Sequence, residues 1–187
     1  MRHGFKAEAE RRAMAAREQL GVGPMDPIDP WAYAEMLGVI VLSFNDLGLD
    51  QKHADQLLQK DPESWSGLTL KEGARHFVLV NPVHTQARQV STMMHEIAHI
   101  ALTHVPKQVD ISATGLMLLS DYPAEQEEEA DWLAAAVLLP REALCHYRRL
   151  GWTGGQICSH FGVSTQLCDW RLRMTGVDVQ MRRAKRA

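Results

Sequence analysis

Two histidines four residues apart, with a glutamate directly after the first, are the residues of this chain best placed to do chemistry: His95-Glu96-Ile97-Ala98-His99. On a helix, side chains at i and i+4 share one face, so His95 and His99 can both turn a ring nitrogen toward one ion at the ~2.0–2.1 Å that zinc requires. Glu96 then lies beside such an ion, where its carboxylate can take a proton from an activated water and return it to a leaving amine. Random placement of nine histidines and twelve glutamates in 187 residues yields this pattern in about 3% of such chains, so its context has to supply the remaining specificity.

A catalytic zinc takes three protein ligands and leaves a fourth position open. Downstream, Glu125, Glu127, Glu128 and Glu129 form an acidic run, a pattern that a solvated helix start also favours. Spacing singles out Glu127. Asp131 stands four residues on, so Glu127 can bind the ion while Asp131 accepts the outer N–H of a ligating histidine. Neither Glu128 nor Glu129 has such a partner. The same segment continues with Ala130, Ala134, Ala135, Val137 and Leu138, small and apolar enough to pack closely on the histidine helix. Peptide hydrolysis also needs a donor to the tetrahedral oxyanion. His104 and Tyr122 are candidates, with His84 and Tyr147 beside them, and no spacing decides among them.

These residues have to be positioned by surrounding elements. The Ala-, Glu- and Arg-rich stretch from Ala7 to Leu20, followed by Gly21, reads as a surface helix. Asp29 caps a second helix that opens on Pro30 and ends near Gly38, and Val39 to Leu42 reads as a strand. Trp65 to Leu70 and His76 to Val80 are strand-like runs around a hairpin loop at Lys71 to Arg75. From Thr85 to His104 apolar residues recur at helical spacing through Val90, Met93, Met94, Ile97 and Ala101, which places the histidine pair on a largely buried helix. Between Val105 and Pro123 no period is sustained, and the stretch reads as a long loop, a wall or lid of the cleft. Helices follow at Ala124 to Leu139 and Pro140 to Arg149. Thr153 to Phe161 and Ser164 to Met174, joined by Gly162-Val163, are similar to a helix-turn-helix. The expected fold is α+β, mainly helical with a small β-sheet. The expected organisation is an N-terminal helix over 1–23, a core over 24–150, and a C-terminal helical segment with a basic tail over 151–187.

Composition bounds the function. A hydrophobic fraction of 45% and a charged fraction of 23% are those of an ordinary globular protein. A net charge of -3 gives no overall steering toward nucleic acid. The tail residues Arg182, Arg183, Lys185 and Arg186 read as a frayed, solvated terminus. Three cysteines, Cys145, Cys158 and Cys168, are odd in number and lack a CxxC pair, which argues against a disulfide framework and fits a cytoplasmic location. The longest apolar run, Trp132 to Leu139, is too short to span a bilayer, so no membrane partner is expected. The competing reading is a DNA-binding or protein-binding regulator with a structural or sensory zinc and no protease activity. Against direct DNA binding, Ser164 to Met174 offers Gln166, Arg171 and Arg173 beside Asp169 and the apolar Leu167, Trp170 and Leu172, which suits packing or partner docking better.

Taken together, His95 to His99 and the run Glu127-Glu128-Glu129-Ala130-Asp131 through Leu139-Pro140 resemble the ImmA/IrrE family of metallopeptidases. The likeness covers roughly residues 25 to 175, including Pro27-Ile28-Asp29-Pro30-Trp31-Ala32, the strand Phe77 to Asn81, and Phe161-Gly162-Val163-Ser164. The resemblance implies a zincin-like core and a gluzincin-like site, in which His95, His99 and Glu127 bind Zn2+, Glu96 activates water and Asp131 orients a ligating histidine. It further implies a zinc metallo-endopeptidase whose protein substrate is a helix-turn-helix repressor, cleaved to relieve repression of mobile-element or stress-response genes. The chain departs from the family pattern at Trp132-Leu133, where a Phe-Ala pair is common, and over 105–123, a departure that bears on substrate specificity.

Overall fold

The computed structural model describes residues 1–112 and 115–184. Its sheet grows from the two strand-like runs, which form β2 (Gly67–Glu72) and β3 (Arg75–Val80). They pair antiparallel from Gly67↔Val80 to Glu72↔Arg75, so the turn is Gly73-Ala74 alone and not the five residues expected. Gly73 sits at φ 59, a left-handed conformation that only glycine adopts without cost. A two-residue strand, β1 (Ile40–Val41), runs parallel to β3.

The loop expected over 105–123 is corrected by a second hairpin, β4 (Gln108–Ile111) and β5 (Met117–Ser120), with residues 113 and 114 outside the described set. Pairing of β5 with β2 completes a five-stranded mixed sheet in the order β1-β3-β2-β5-β4. The reason the sequence hides this hairpin is physical. Every residue of the edge strand β4 is exposed and every residue of β5 is half-buried, so neither shows the alternation that marks a strand with one wet face.

Two helices carry the candidate chemistry, α4 (Gln86–Ala101) and α5 (Ala124–Leu138). Between β1 and β2 the chain forms the short helix α3 (Gln51–Asp55) and tight turns. Earlier, α2 (Pro30–Met36) is capped by Asp29, whose carboxylate accepts the Trp31 N–H at 2.9 Å. On α4, Met93, Met94, Ile97 and Ala98 are buried, and Ala130, Leu133, Ala134 and Val137 of α5, the helix packed against it, are buried in the same cluster. Small residues on α5 let the two helix axes approach closely.

The helix expected on the surface, α1 (Phe5–Gln19), is instead part of the core. Phe5, Ala9, Ala13 and Ala16 form a stripe at helical spacing that is buried against α5. Alanine carries little hydrophobic signal, so this face does not stand out in the sequence. Two wholly buried arginines finish the other end of α5: Arg17 Nη1 donates to the Val137 carbonyl and Arg171 Nε to the Leu139 carbonyl, both at 3.1 Å. Positive groups at a helix C-terminus oppose its dipole, as the glutamates Glu125 to Glu129 do at the N-terminus.

The last four helices are α6 (Arg141–Arg149), α7 (Gly154–Phe161), α8 (Thr165–Thr175) and α9 (Val177–Ala184). Thr153 and Ser164 cap α7 and α8, and Gly162 at φ 64 makes the turn between them. Arg171 of α8 is bound to Glu10 and the Leu139 carbonyl and has no surface to offer a nucleic acid. The sequence did not single out α9, which buries Val177 completely and whose Asp178 accepts a 2.7 Å bond from Arg148. Lys185, Arg186 and the Arg182 side chain lie outside the described residues. No helix among the described residues is long and apolar enough to cross a membrane.

Candidate metal centre

Because α4 and α5 pack side by side, the HExxH face of one meets the acidic first turns of the other. His95 Nε2 lies 3.0 Å from His99 Nε2 and 3.2 Å from Glu127 Oε2, and His99 Nε2 lies 3.6 Å from the same Glu127 oxygen. Ligand atoms around a tetrahedral zinc with ~2.0–2.1 Å bonds stand about 3.3 Å apart, so this triangle has the size such an ion needs. Among the described residues, His95, His99 and Glu127 form a group able to hold a metal ion, and the donor set of two imidazoles and one carboxylate suits zinc. Asp131 lies one turn beyond Glu127, and its Oδ1 is 2.9 Å from His95 Nδ1. A proton held on Nδ1 by that contact would leave Nε2 to an ion once the ring is neutral.

Charge within the group is unevenly held. Burial opposes a proton on His95, but hydrogen bonds to Asp131 and Glu127 and the charges of Glu96 and Asp131 outweigh it and raise the ring to about 10. Burial, reinforced by the charge on His95, lowers His99 to about 4. The hydrogen bond from His95 holds the Glu127 carboxyl below its usual range despite partial burial.

Glu96 reaches from the same cleft to the sheet. Its Oε2 accepts a 2.5 Å hydrogen bond from the hydroxyl of Thr69, a wholly buried residue of β2. Burial pushes the Glu96 carboxyl up, and the Thr69 bond and the His95 charge offset only part of that rise. The approach of α4 to β2 requires Gly67: a Cβ there would stand 2.6 Å from Thr92 Cγ2 and 3.1 Å from Glu96 Oε1. Thr69 and Gly67 are site residues that the sequence did not single out, because their relation to Glu96 exists only once strand and helix are packed.

The two candidate oxyanion donors are placed differently. Tyr122 stacks on the His99 ring at 3.8 Å between centroids and 24° between planes, and it lines a cleft of about 160 Å³ with Thr69, His95, Glu96, His99 and Glu127. Burial, with the charges of Glu96 and Glu127, raises its hydroxyl to about 12, so it stays a proton donor at neutral pH. His104 does not line that cleft. A left-handed turn at Thr103, φ 53, folds the chain back so that His104 Nδ1 lies 3.0 Å from His99 Nδ1, on the side of His99 away from Glu127. Of the two candidates, the structure thus places Tyr122 in the cleft and His104 behind His99. His84 and Tyr147 bond to the carbonyls of Pro62 and Met25 and take no part in the cleft. A larger groove of about 700 Å³, between α4 and α8, borders the group only at Asp131.

Comparison with known proteins adds one finding. Residues 39–173 match the model of the Peptidase M78 family, described as the IrrE N-terminal-like domain. No curated protein matches the chain.

Proposed function

The chain belongs to the Peptidase M78 family, and from that premise and the geometry of its cleft we propose that it is a zinc-dependent endopeptidase. The observation that carries the reading is the convergence of His95, His99 and Glu127 on one point, with the Glu96 carboxylate on the next position of the same helix. His95, His99 and Glu127 would hold the ion, and Asp131 would orient His95. Zinc supplies Lewis acidity when bound, acidifying water and polarising a carbonyl. Glu96 is the proton carrier. Thr69 holds one of its oxygens, and burial raises its basicity above that of an ordinary carboxylate, which favours taking up a proton and passing it to a departing amine. Tyr122, whose hydroxyl has no hydrogen-bond partner among the described residues, supplies the donor to the oxyanion.

The substrate we propose is a helix-turn-helix repressor, the class that the likeness of His95 to His99 and Glu127 to Pro140 to the ImmA/IrrE pattern implies, acting in the cytoplasm. The test is co-expression of the chain with helix-turn-helix repressors encoded beside it, followed by intact mass of each repressor. Two complementary fragments should accumulate with the native protein and fall by about 10²–10⁴-fold with Glu96→Gln. Fragments formed equally by that variant would remove Glu96 from the chemistry, and intact repressors throughout would remove this substrate class.

A further inference from the structure

His99 is the more deeply buried of the two histidines in the metal group, and it is the one whose outer nitrogen meets no carboxylate directly. We infer that His104, Glu129 and Arg2 are positioning residues that carry the outer nitrogen of His99 to a fixed negative charge. This inference rests on the reading of His95, His99 and Glu127 as metal ligands.

A histidine that binds a metal through Nε2 carries its proton on Nδ1 and needs an acceptor there. For His95 the acceptor is Asp131 at 2.9 Å. For His99 it is His104 Nδ1 at 3.0 Å, and His104 then bears its own proton on Nε2. That Nε2 is buried without a hydrogen bond, and Glu129 Oε2 stands 3.7 Å from it, just beyond hydrogen-bond reach. Glu129 is 4% exposed. Arg2 holds it from the other side, through its backbone N–H at 2.8 Å and its Nε at 2.9 and 3.1 Å from the two carboxylate oxygens. One helix, α5, thus supplies three carboxylates at alternate positions: Glu127 to the metal, Asp131 to His95, and Glu129 to His99 through His104.

The backbone gives a second, independent observation. Among the described residues the two non-glycine positions with positive φ are Thr103, φ 53, and Asp121, φ 52. Each directly precedes a ring packed on His99: His104 at 5.0 Å between centroids, and Tyr122 stacked at 3.8 Å. A β-branched residue in the left-handed region is costly, and such strain persists where surrounding structure fixes it for a purpose. Here the turn is closed by the His104 N–H on the His99 carbonyl at 3.0 Å, which brings the two rings together. Arg2 lies outside the span 39–173 that matches the family, so this support comes from the chain's own N-terminal segment.

The experiment is zinc affinity of the full chain, measured by competition with a chromophoric chelator, with the visible spectrum of the cobalt-substituted protein as a second readout. His104→Ala should weaken zinc binding by about 10–100-fold and shift the cobalt bands, because an outer partner tunes the ligand it holds. His104→Asn, whose side-chain oxygen can replace Nδ1 as the acceptor, should recover most of that loss. Glu129→Gln keeps the shape and removes the charge, and should weaken binding by about 3–10-fold. A His104→Ala protein that folds and binds zinc within about twofold of the native chain would overturn the inference. If His104→Ala does not fold, an unchanged affinity in Glu129→Gln overturns it instead. A native chain that binds no zinc would remove the metal-site reading itself, whereas native binding with unchanged variants would remove this inference alone.

Discussion

Four ionisable groups that meet in one cleft, His95, Glu96 and His99 on α4 and Glu127 on α5, hold protons with very different strengths, and that ordering has a measurable consequence. His95, raised to about 10 by its carboxylate neighbours, is charged at neutral pH in the zinc-free protein, while His99, lowered to about 4, is already neutral. A metal needs the neutral ring, so binding has to expel the His95 proton, and raising the pH favours binding until about pH 10. Calorimetric titration near pH 7 in two buffers of different ionisation enthalpy should therefore show release of about one proton per zinc, with affinity rising about tenfold per pH unit. Equal heats in both buffers would contradict that account. At this scale the sequence was highly informative where spacing alone sets geometry. His95 and His99, or Glu127 and Asp131, share a face by virtue of being four apart on a helix. It was silent on Thr69, which reaches Glu96 across 27 positions, and on Glu129, which finds Arg2 across 127.

At the scale of elements, the site depends on how closely strand β2 passes beneath helix α4. Gly67 permits that approach, since any Cβ would press on Thr92 and Glu96. Gly67→Ala is expected to force both side chains aside, costing about 1–3 kcal/mol of stability and lowering turnover more than it lowers zinc binding. Thermal denaturation and zinc affinity of the variant check this. An unchanged melting temperature with full activity would show that the helix has room to move. The helices were legible because α4 repeats its apolar residues at helical period, α5 is an Ala-rich run broken at Pro140, and α7 and α8 open on capping Thr153 and Ser164. The β4–β5 hairpin was not, since Gln108 to Ile111 are all exposed and Met117 to Ser120 all half-buried. Its consequence is functional: residues Leu118 to Tyr122 wall the cleft, and Asp121 turns Tyr122 onto His99.

Across the whole molecule, one apolar cluster runs from Phe5 on α1 to Val177 at the start of α9. Both ends of the chain close on α5, with α1 along its side, Arg17 and Arg171 at its C-terminal carbonyls, and Arg2 at its acidic start. The reading of α1 as a surface helix failed because a stripe of alanines between charged residues looks the same whether it faces water or a close-packed partner. Its burial makes the N-terminal helix a brace for the helix that supplies Glu127. The role we propose for this scaffold is to hold a catalytic ion between α4 and α5. Native mass spectrometry of the purified chain and of Glu127→Ala tests it most directly. About one zinc per native chain is expected, lost or much weakened in the variant. A native chain that stays metal-free in excess zinc would contradict it.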